Sequence, residues 1–141
     1  MIDLQAANHT NRELELMLAG KKPLAIFCDD LSVFPNDVIF PESQFLPHVI
    51  SGRFVQDSIV IEGDYIASLG RKAQLKCLFY ALAGQAWRIP AMIQLIEIRN
   101  RTPAMWQSEG LERYESTLLG YTDEEVDAWC DHRFRKPPAS A

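Results

Sequence analysis

The stretch Lys72–Leu82 reads KAQLKCLFYAL, and it decides the fold class because its apolar residues recur at every second position. A period of two places alternate side chains on opposite faces of a β-strand. We therefore predict a strand with one packed face and one face that is partly wet near its lysines. The first face carries Ala73, Leu75, Cys77, Phe79 and Ala81, and the second carries Lys72, Gln74, Lys76, Leu78 and Tyr80.

Two turn signals precede this strand. Gly63-Asp64 follows the apolar segment Ser58–Glu62, and Gly70-Arg71 follows Tyr65–Leu69. Short turns between consecutive strands predict an antiparallel β-meander, which we expect over residues 49–82.

The region before the meander mixes an apolar run with prolines. Leu24–Cys28 has the length and composition of a short strand. Residues 31–47 contain Pro35, Pro41 and Pro47. Since proline cannot donate a hydrogen bond to a strand ladder, this segment is predicted to be a loop or a broken edge strand.

Helix signals flank the strands on both sides. Thr10 with Glu13 forms a capping box for a first helix, which Gly20 ends. Beyond the strands, Pro90 suits the first turn of an apolar helix over Ala91–Arg101. Two further helices are expected, one from a Ser108 cap through Leu119 to a stop at Gly120, and one from a Thr122/Glu125 capping box to about Arg133.

The order of these elements predicts an α+β fold: an N-terminal helix, an antiparallel β-meander, then three C-terminal helices packed on one face of the sheet. We expect one domain over residues 1–136 and a disordered tail over residues 137–141, which read PPASA.

Composition excludes several classes of protein. The chain has 141 residues, of which 48% are hydrophobic and 23% charged, so it is not intrinsically disordered. No apolar run approaches the ~20 residues of a membrane-spanning helix, and the N-terminus does not read as a signal peptide. Cys28, Cys77 and Cys130 are too far apart for a CxxC metal site and too few for a disulfide framework. We expect reduced thiols and a cytoplasmic location.

Negative charge is concentrated near the C-terminus. The segment Glu109–Asp131 holds eight acidic residues and one base, Arg113, in a chain of net charge −5. Such a surface repels nucleic acid and favours a basic protein partner. The simpler alternative is a solvated face of two helices. The candidate binding carboxylates are Glu112, Glu115, Glu124, Asp127 and Asp131.

Catalytic and metal signatures are missing from the sequence: it contains no HExxH, GxSxG, P-loop or GxGxxG. Spacing gives no support to a Cys–His dyad of Cys28 or Cys130 with His48. Glu124, Asp127 and Asp131 with His132 could in principle hold a hard cation, but acids at a helix start are typical of the helix dipole. We therefore expect no metal, no cofactor and no catalytic residue.

The junction between strands and helices, residues 84–90, offers a second candidate binding site. Trp87 and Arg88 lie there, and both residue types are enriched in protein interfaces. The alternative is that Trp87 packs and Arg88 pairs with an acid to fix the junction.

Two segments, FYALAGQAWRI (residues 79–89) and LERYE running to LLGY (residues 111–121), together resemble small bacterial proteins, some of which look like immunity proteins of toxin–immunity pairs. The resemblance carries no catalytic motif, and it implies a bacterial cytoplasmic protein rather than a specific activity.

Three functions follow as hypotheses. The leading one is a non-enzymatic protein-binding protein, such as an immunity protein that neutralises a basic toxin through its acidic C-terminal helices. The second is a homo-oligomeric structural or adaptor protein, a homodimer for example, whose exposed apolar patch would include Trp106 and Tyr114. The third is a small enzyme with Asp29, Asp30, His48 or Arg88 in a cleft between sheet and helices. None of the three involves nucleic acid or a membrane.

Overall fold

A computed structural model describes residues 12–30 and 41–135. The elements run in the order α1 (Glu13–Leu18), β1 (Leu24–Asp30), α2 (Glu42–Ile50), β2 (Phe54–Ile66), β3 (Arg71–Leu82), α3 (Arg88–Arg101), α4 (Glu109–Leu118) and α5 (Asp123–Phe134), with short 3₁₀ helices at Ala83–Gln85 and Pro103–Gln107. The three strands form one antiparallel sheet in the order β1-β3-β2. The predicted α+β class, with its three C-terminal helices, is confirmed.

Strand β3 lies at the centre of the sheet, and its side chains alternate between the two faces as predicted. Cys77, Phe79 and Ala81 pack against the helix α3, which contributes Met92 and Leu95. We call this the α3 face of the sheet. The opposite face is partly exposed near its lysines: Lys72 is exposed, and so are Asp29 and Val60, the cross-strand partners of Lys76. Closer to the end of β3, Leu78 and Tyr80 are covered by Met17 of α1 and Phe45 of α2, so helices cover both faces there.

The expected turn at Gly63-Asp64 is wrong. Strand β2 continues through both residues, and its register with β3 shifts between Glu62 and Tyr65, which marks a β-bulge. Glycine favours bulges for the same backbone reasons that it favours turns, so the sequence signal was ambiguous. The second expected turn is confirmed, because β2 and β3 are joined by the tight turn 67–70, where Gly70 has φ +65°.

The segment expected as a loop or edge strand contains a helix instead. Residues Glu42–Ile50 form α2, with Pro47 inside it and Phe45 almost fully buried. The Phe45 ring stacks on Tyr80 with centroids 4.2 Å apart. This tertiary contact outweighs the cost of an internal proline. Pro35 lies outside the described residues.

The signals at helix ends hold where the structure describes them. The Ser108 side chain accepts a hydrogen bond from the Leu111 amide (3.2 Å), and Thr122 with Glu125 forms a complete capping box. Gly20 and Gly120 have φ of +74° and +90° just beyond the ends of α1 and α4. Helix α3 starts at Arg88, two residues before Pro90. The Thr10 half of the first capping box and the tail over residues 137–141 lie outside the described residues.

The expectation of three reduced thiols is wrong for one pair. Cys28 of β1 and Cys77 of β3 are direct cross-strand partners, with Cα atoms 4.1 Å apart, and they form a disulfide. Their separation of 49 residues hid the pairing, which depends on the register of two strands distant in sequence. Cys130 is a free, buried thiol. Within the described ranges, no helix has the length and apolar character needed to cross a membrane.

Candidate functional site

A buried arginine organises the C-terminal helices. Arg99 of α3 is only 2% exposed. Its two terminal nitrogens bind the carboxylates of Glu112 (3.2 Å) and Glu115 (2.5 Å), both on α4. Its guanidinium also lies over the Trp106 ring, 4.4 Å from the centroid. Because a buried charge must be paired, Arg99 fixes α4 against the end of α3.

Glu112 extends this network to α5. Its carboxylate accepts hydrogen bonds from the Trp129 indole nitrogen (2.6 Å) and from Arg133 (2.5 Å), as well as from Arg99. Arg133 also donates to the backbone oxygen of Trp106. Glu112 is 6% exposed, so it joins three elements through charge-assisted hydrogen bonds in a dry environment. We call Arg99, Glu112, Glu115 and Arg133 the buried network.

A second set of ion pairs lies at the surface of α4 and α5. Arg113 binds Glu109 (3.1 Å) and Asp127 (2.7 Å), while Arg135 binds Glu109 (2.8 Å) and Asp131 (2.9 Å). Hydrogen bonds from Arg135 and Arg113 lower the pKa of Glu109, and its carboxylate together with that of Asp127 raises the pKa of Arg113. These side chains are more exposed, so each pair contributes little to stability.

The five candidate binding carboxylates therefore separate into two groups. Glu112 and Glu115 belong to the buried network: Glu112 is buried, and Glu115 is partly exposed but paired with Arg99. Glu124, Asp127 and Asp131 lie on α5 and are exposed. At ~100° per residue, these three side chains fall within an arc of about 60° on one side of the helix. We call them the α5 stripe.

The sequence reading missed the arginines that pair with the acids. Arg99 lies four residues after Leu95 and seven after Met92, on the apolar side of its helix, and this position was the available signal. Arg133 and Arg135 follow the acidic segment in the sequence and lie outside the range Glu109–Asp131. Only the packing of α3, α4 and α5 reveals that they pair with carboxylates up to 26 residues away.

At the strand-to-helix junction, Trp87 and Arg88 behave differently. Arg88 donates to the backbone oxygens of Thr117 (2.9 Å) and Leu118 (3.2 Å) in the last turn of α4, where carbonyls lack the N–H of a following helical turn. Burial lowers the pKa of Arg88. Trp87 is 55% exposed, with the Arg88 guanidinium 4.7 Å from its ring centroid. Arg88 thus fixes the junction through helix carbonyls rather than an acid, and Trp87 remains at the surface.

A buried lysine stabilises the same end of α4. The Lys22 amine donates to the Leu119 backbone oxygen (3.2 Å) and lies 5.4 Å from the Tyr121 ring centroid. Lys22 is 3% exposed, and burial lowers its pKa to about 8 against the opposing effect of Glu13 and Glu125. The two cations Lys22 and Arg88 together complement the negative end of the α4 dipole.

The four residues considered for an enzymatic cleft do not converge. Asp30 lies on the α3 face of the sheet, whereas Asp29 lies on the opposite face. His48 is on α2, with its ring centroid 5.2 Å from that of Phe54. Arg88 is at the start of α3 and binds the end of α4. Within residues 12–30 and 41–135, no three His, Cys, Asp or Glu side chains are grouped to hold a metal ion.

A cavity does occupy the cleft between sheet and helix, and of the four residues Asp30 lines it while Asp29, His48 and Arg88 do not. Its volume is about 310 Å³. It lies between the part of the β2–β3 hairpin nearest the 67–70 turn and the C-terminal end of α3. Asp30, Arg99 and Asn100 supply polar groups. The apolar walls come from Ile61, Ala73, Leu75, Ile96, Pro103 and Trp106.

The chain matches no protein-family model, and no curated protein or solved structure matches it.

Proposed function

We propose that this is a non-enzymatic protein-binding protein that receives a basic partner on the α5 stripe. The observation that carries the proposal is the arrangement of Glu124, Asp127 and Asp131 as one exposed row of carboxylates on a single helix. Carboxylates aligned in this way attract a cationic surface and orient it during the encounter.

The ion pairs of the stripe are compatible with this role. The side chains of Asp127 and Asp131 remain 63% and 64% exposed while they bind Arg113 and Arg135. Exposed pairs of this kind contribute about 0–1 kcal/mol, so arginines of a partner can replace the internal ones at little cost. The buried network beneath holds α4 and α5 in place, which reduces the ordering cost of binding.

The proposal includes a biological context. We infer that the partner is a basic toxin and that the protein acts in the bacterial cytoplasm, because residues 79–89 and 111–121 resemble small bacterial proteins, some of which look like immunity proteins. The Cys28–Cys77 disulfide of the structure does not favour that location, because disulfides are rare in a reducing cytoplasm. Mass measurement of the protein alkylated in intact cells tests the location, because a fully formed Cys28–Cys77 disulfide there argues for an oxidising compartment.

The binding test compares two charge reversals of equal size. A basic protein captured from cell extract at low salt is purified and titrated against Glu124→Lys/Asp127→Lys/Asp131→Lys and against Asp57→Lys/Glu62→Lys/Asp64→Lys. The second set reverses three exposed acids on β2. We expect the Kd to rise at least 100-fold for the α5 variant and much less for the β2 variant. Equal losses would indicate a general effect of net charge, and no loss for the α5 variant would overturn the proposal.

A second candidate, self-association, is favoured by exposed aromatic side chains. Trp106 is 49% exposed and Tyr114 is 45% exposed. If these side chains form an interface between copies, sedimentation will give a mass of twice 16.0 kDa, and Trp106→Ser with Tyr114→Ser will restore the monomer. A wild-type monomer at high concentration rejects this candidate.

A further inference from the structure

We propose that the cavity is a binding site for a small, neutral, aromatic molecule that carries one hydrogen-bond acceptor. This site is separate from the α5 stripe, and its test does not depend on a protein partner.

The volume and the lining of the cavity determine the size and the apolar character of the ligand. At about 310 Å³ it is roughly twice the ~150 Å³ cavity that accommodates benzene. It lies at the lower end of the range of small-molecule sites. Leu75 and Ile96 supply aliphatic walls, and Trp106 supplies an aromatic one. One substituted ring fits this space and this surface.

An unpartnered hydrogen-bond donor on Arg99 is the reason that we assign an acceptor to the ligand. The terminal nitrogens of Arg99 are engaged by Glu112 and Glu115. Its Nε, in contrast, is the one buried side-chain nitrogen or oxygen without a hydrogen-bond partner in the part of the chain that the structure describes. Arg99 lines the cavity and is 2% exposed. Because a buried donor without an acceptor is unfavourable, a ligand oxygen that accepts from Nε gains that stabilisation.

Charge excludes an anionic ligand. The buried network joins two arginines, Arg99 and Arg133, to two carboxylates, Glu112 and Glu115, so it is already balanced. A bound carboxylate would add a negative charge that no cation of the network is free to balance, near the additional carboxylate of Asp30. The acceptor is therefore a neutral oxygen, such as that of a ketone, ether or amide.

The β-bulge contributes to the shape of the site. Gly63, at the bulge in β2, also lines the cavity, and a Cβ atom there would lie 3.2 Å from the Cβ of Ala73. The irregularity that resembled a turn in the sequence thus places a residue without a side chain in the cavity wall. Bulges are common next to binding sites for this reason.

Three probes that share a phenyl ring test the proposal: acetophenone with a neutral acceptor, ethylbenzene with none, and benzoate with a negative charge. Binding is followed by NMR shifts of backbone amides around the cavity. We expect acetophenone to bind about tenfold more tightly than either of the others, because only it satisfies Nε without adding charge.

Two variants and one control identify the site. Ala73→Leu fills the cavity and should abolish acetophenone binding, while Ala67→Leu in the exposed turn after β2 should leave it unchanged. Arg99→Lys keeps the positive charge but lacks the Nε donor, so acetophenone should lose its advantage over ethylbenzene. If Arg99→Lys does not fold, the Ala73→Leu variant still shows whether acetophenone binds in the cavity. Equal binding of ethylbenzene, tightest binding of benzoate, shifts that persist in Ala73→Leu, or no binding at all would each overturn the proposal.

Discussion

At the scale of single residues, Glu112 shows how burial changes the role of an acid. A residue that composition places on an acidic surface is instead the shared acceptor of Arg99, Arg133 and Trp129. Its neighbour Glu115 is partly exposed yet turned to the same arginine. Only their positions relative to α3 and α5 distinguish these two from the exposed acids of the α5 stripe.

This difference predicts unequal costs for the same substitution. Glu112→Gln leaves two arginines with one carboxylate and should lower the free energy of unfolding by about 3–5 kcal/mol. Glu124→Gln changes an exposed side chain and should stay within about 0.5 kcal/mol of wild type. Urea denaturation of both variants measures the difference. If the two costs are the same, Glu112 is not the centre of a buried network.

Lys22 predicts an unusual dependence of stability on pH. Its pKa is about 8 in the folded protein and 10.5 without perturbation, so the unfolded chain binds more protons between these values. Stability should therefore rise with pH from 8 to 10.5, by up to about 3 kcal/mol, and the full penalty of the buried charge should be present below pH 8.

The matched variant is Lys22→Met, which removes this titration and should lack the rise. Burial raises the pKa of Cys130, and burial with Glu42 raises that of Tyr80 to about 12. Both shifts lower stability as pH increases, but they are present in wild type and variant alike and cancel in the difference. Parallel pH profiles of the two proteins would contradict the assignment.

At the scale of elements, the turn after α4 packs against Pro23, the residue that precedes β1. Gly120 has φ +90°, and a Cβ atom there would collide with the ring of Pro23. Gly52, after α2, has φ +81° and open space around it. Substituting each glycine by alanine therefore distinguishes the cost of a left-handed backbone, which both positions share, from the cost of the contact with Pro23, which only Gly120 makes.

Gly52→Ala should lower the free energy of unfolding by about 1–2 kcal/mol, since only the left-handed backbone is penalised. Gly120→Ala should cost about 1–3 kcal/mol more, because Pro23 and α4 must also move apart. Thermal or urea unfolding of the two variants gives both values. Similar costs at the two positions would show that the contact between the turn and Pro23 is not tight.

At the scale of the whole molecule, the features predicted from sequence are those encoded within a few residues. The alternation in β3, the Ser108 cap and the Thr122/Glu125 box are local patterns, and all three are present. The α2 helix was not predicted, because its stability depends on the packing of Phe45 against Tyr80.

The candidate site was predictable only in part for the same reason. The concentration of acids between Glu109 and Asp131 is visible in the sequence, but their division into a buried network and an exposed stripe is not. It depends on Arg99, which approaches α4 from a helix that precedes the acidic segment. The Cys28–Cys77 disulfide likewise requires the register of β1 against β3.

The salt dependence of partner binding tests the central claim, that the α5 stripe is the surface facing a basic protein. The affinity of the captured partner is measured over a series of salt concentrations for wild type and for Glu124→Lys/Asp127→Lys/Asp131→Lys. We predict a steep loss of affinity with salt in wild type and a flat or rising affinity in the variant, because there salt screens the repulsion between the three lysines and the basic partner. The same steep dependence in both proteins would contradict the account and place the binding surface elsewhere.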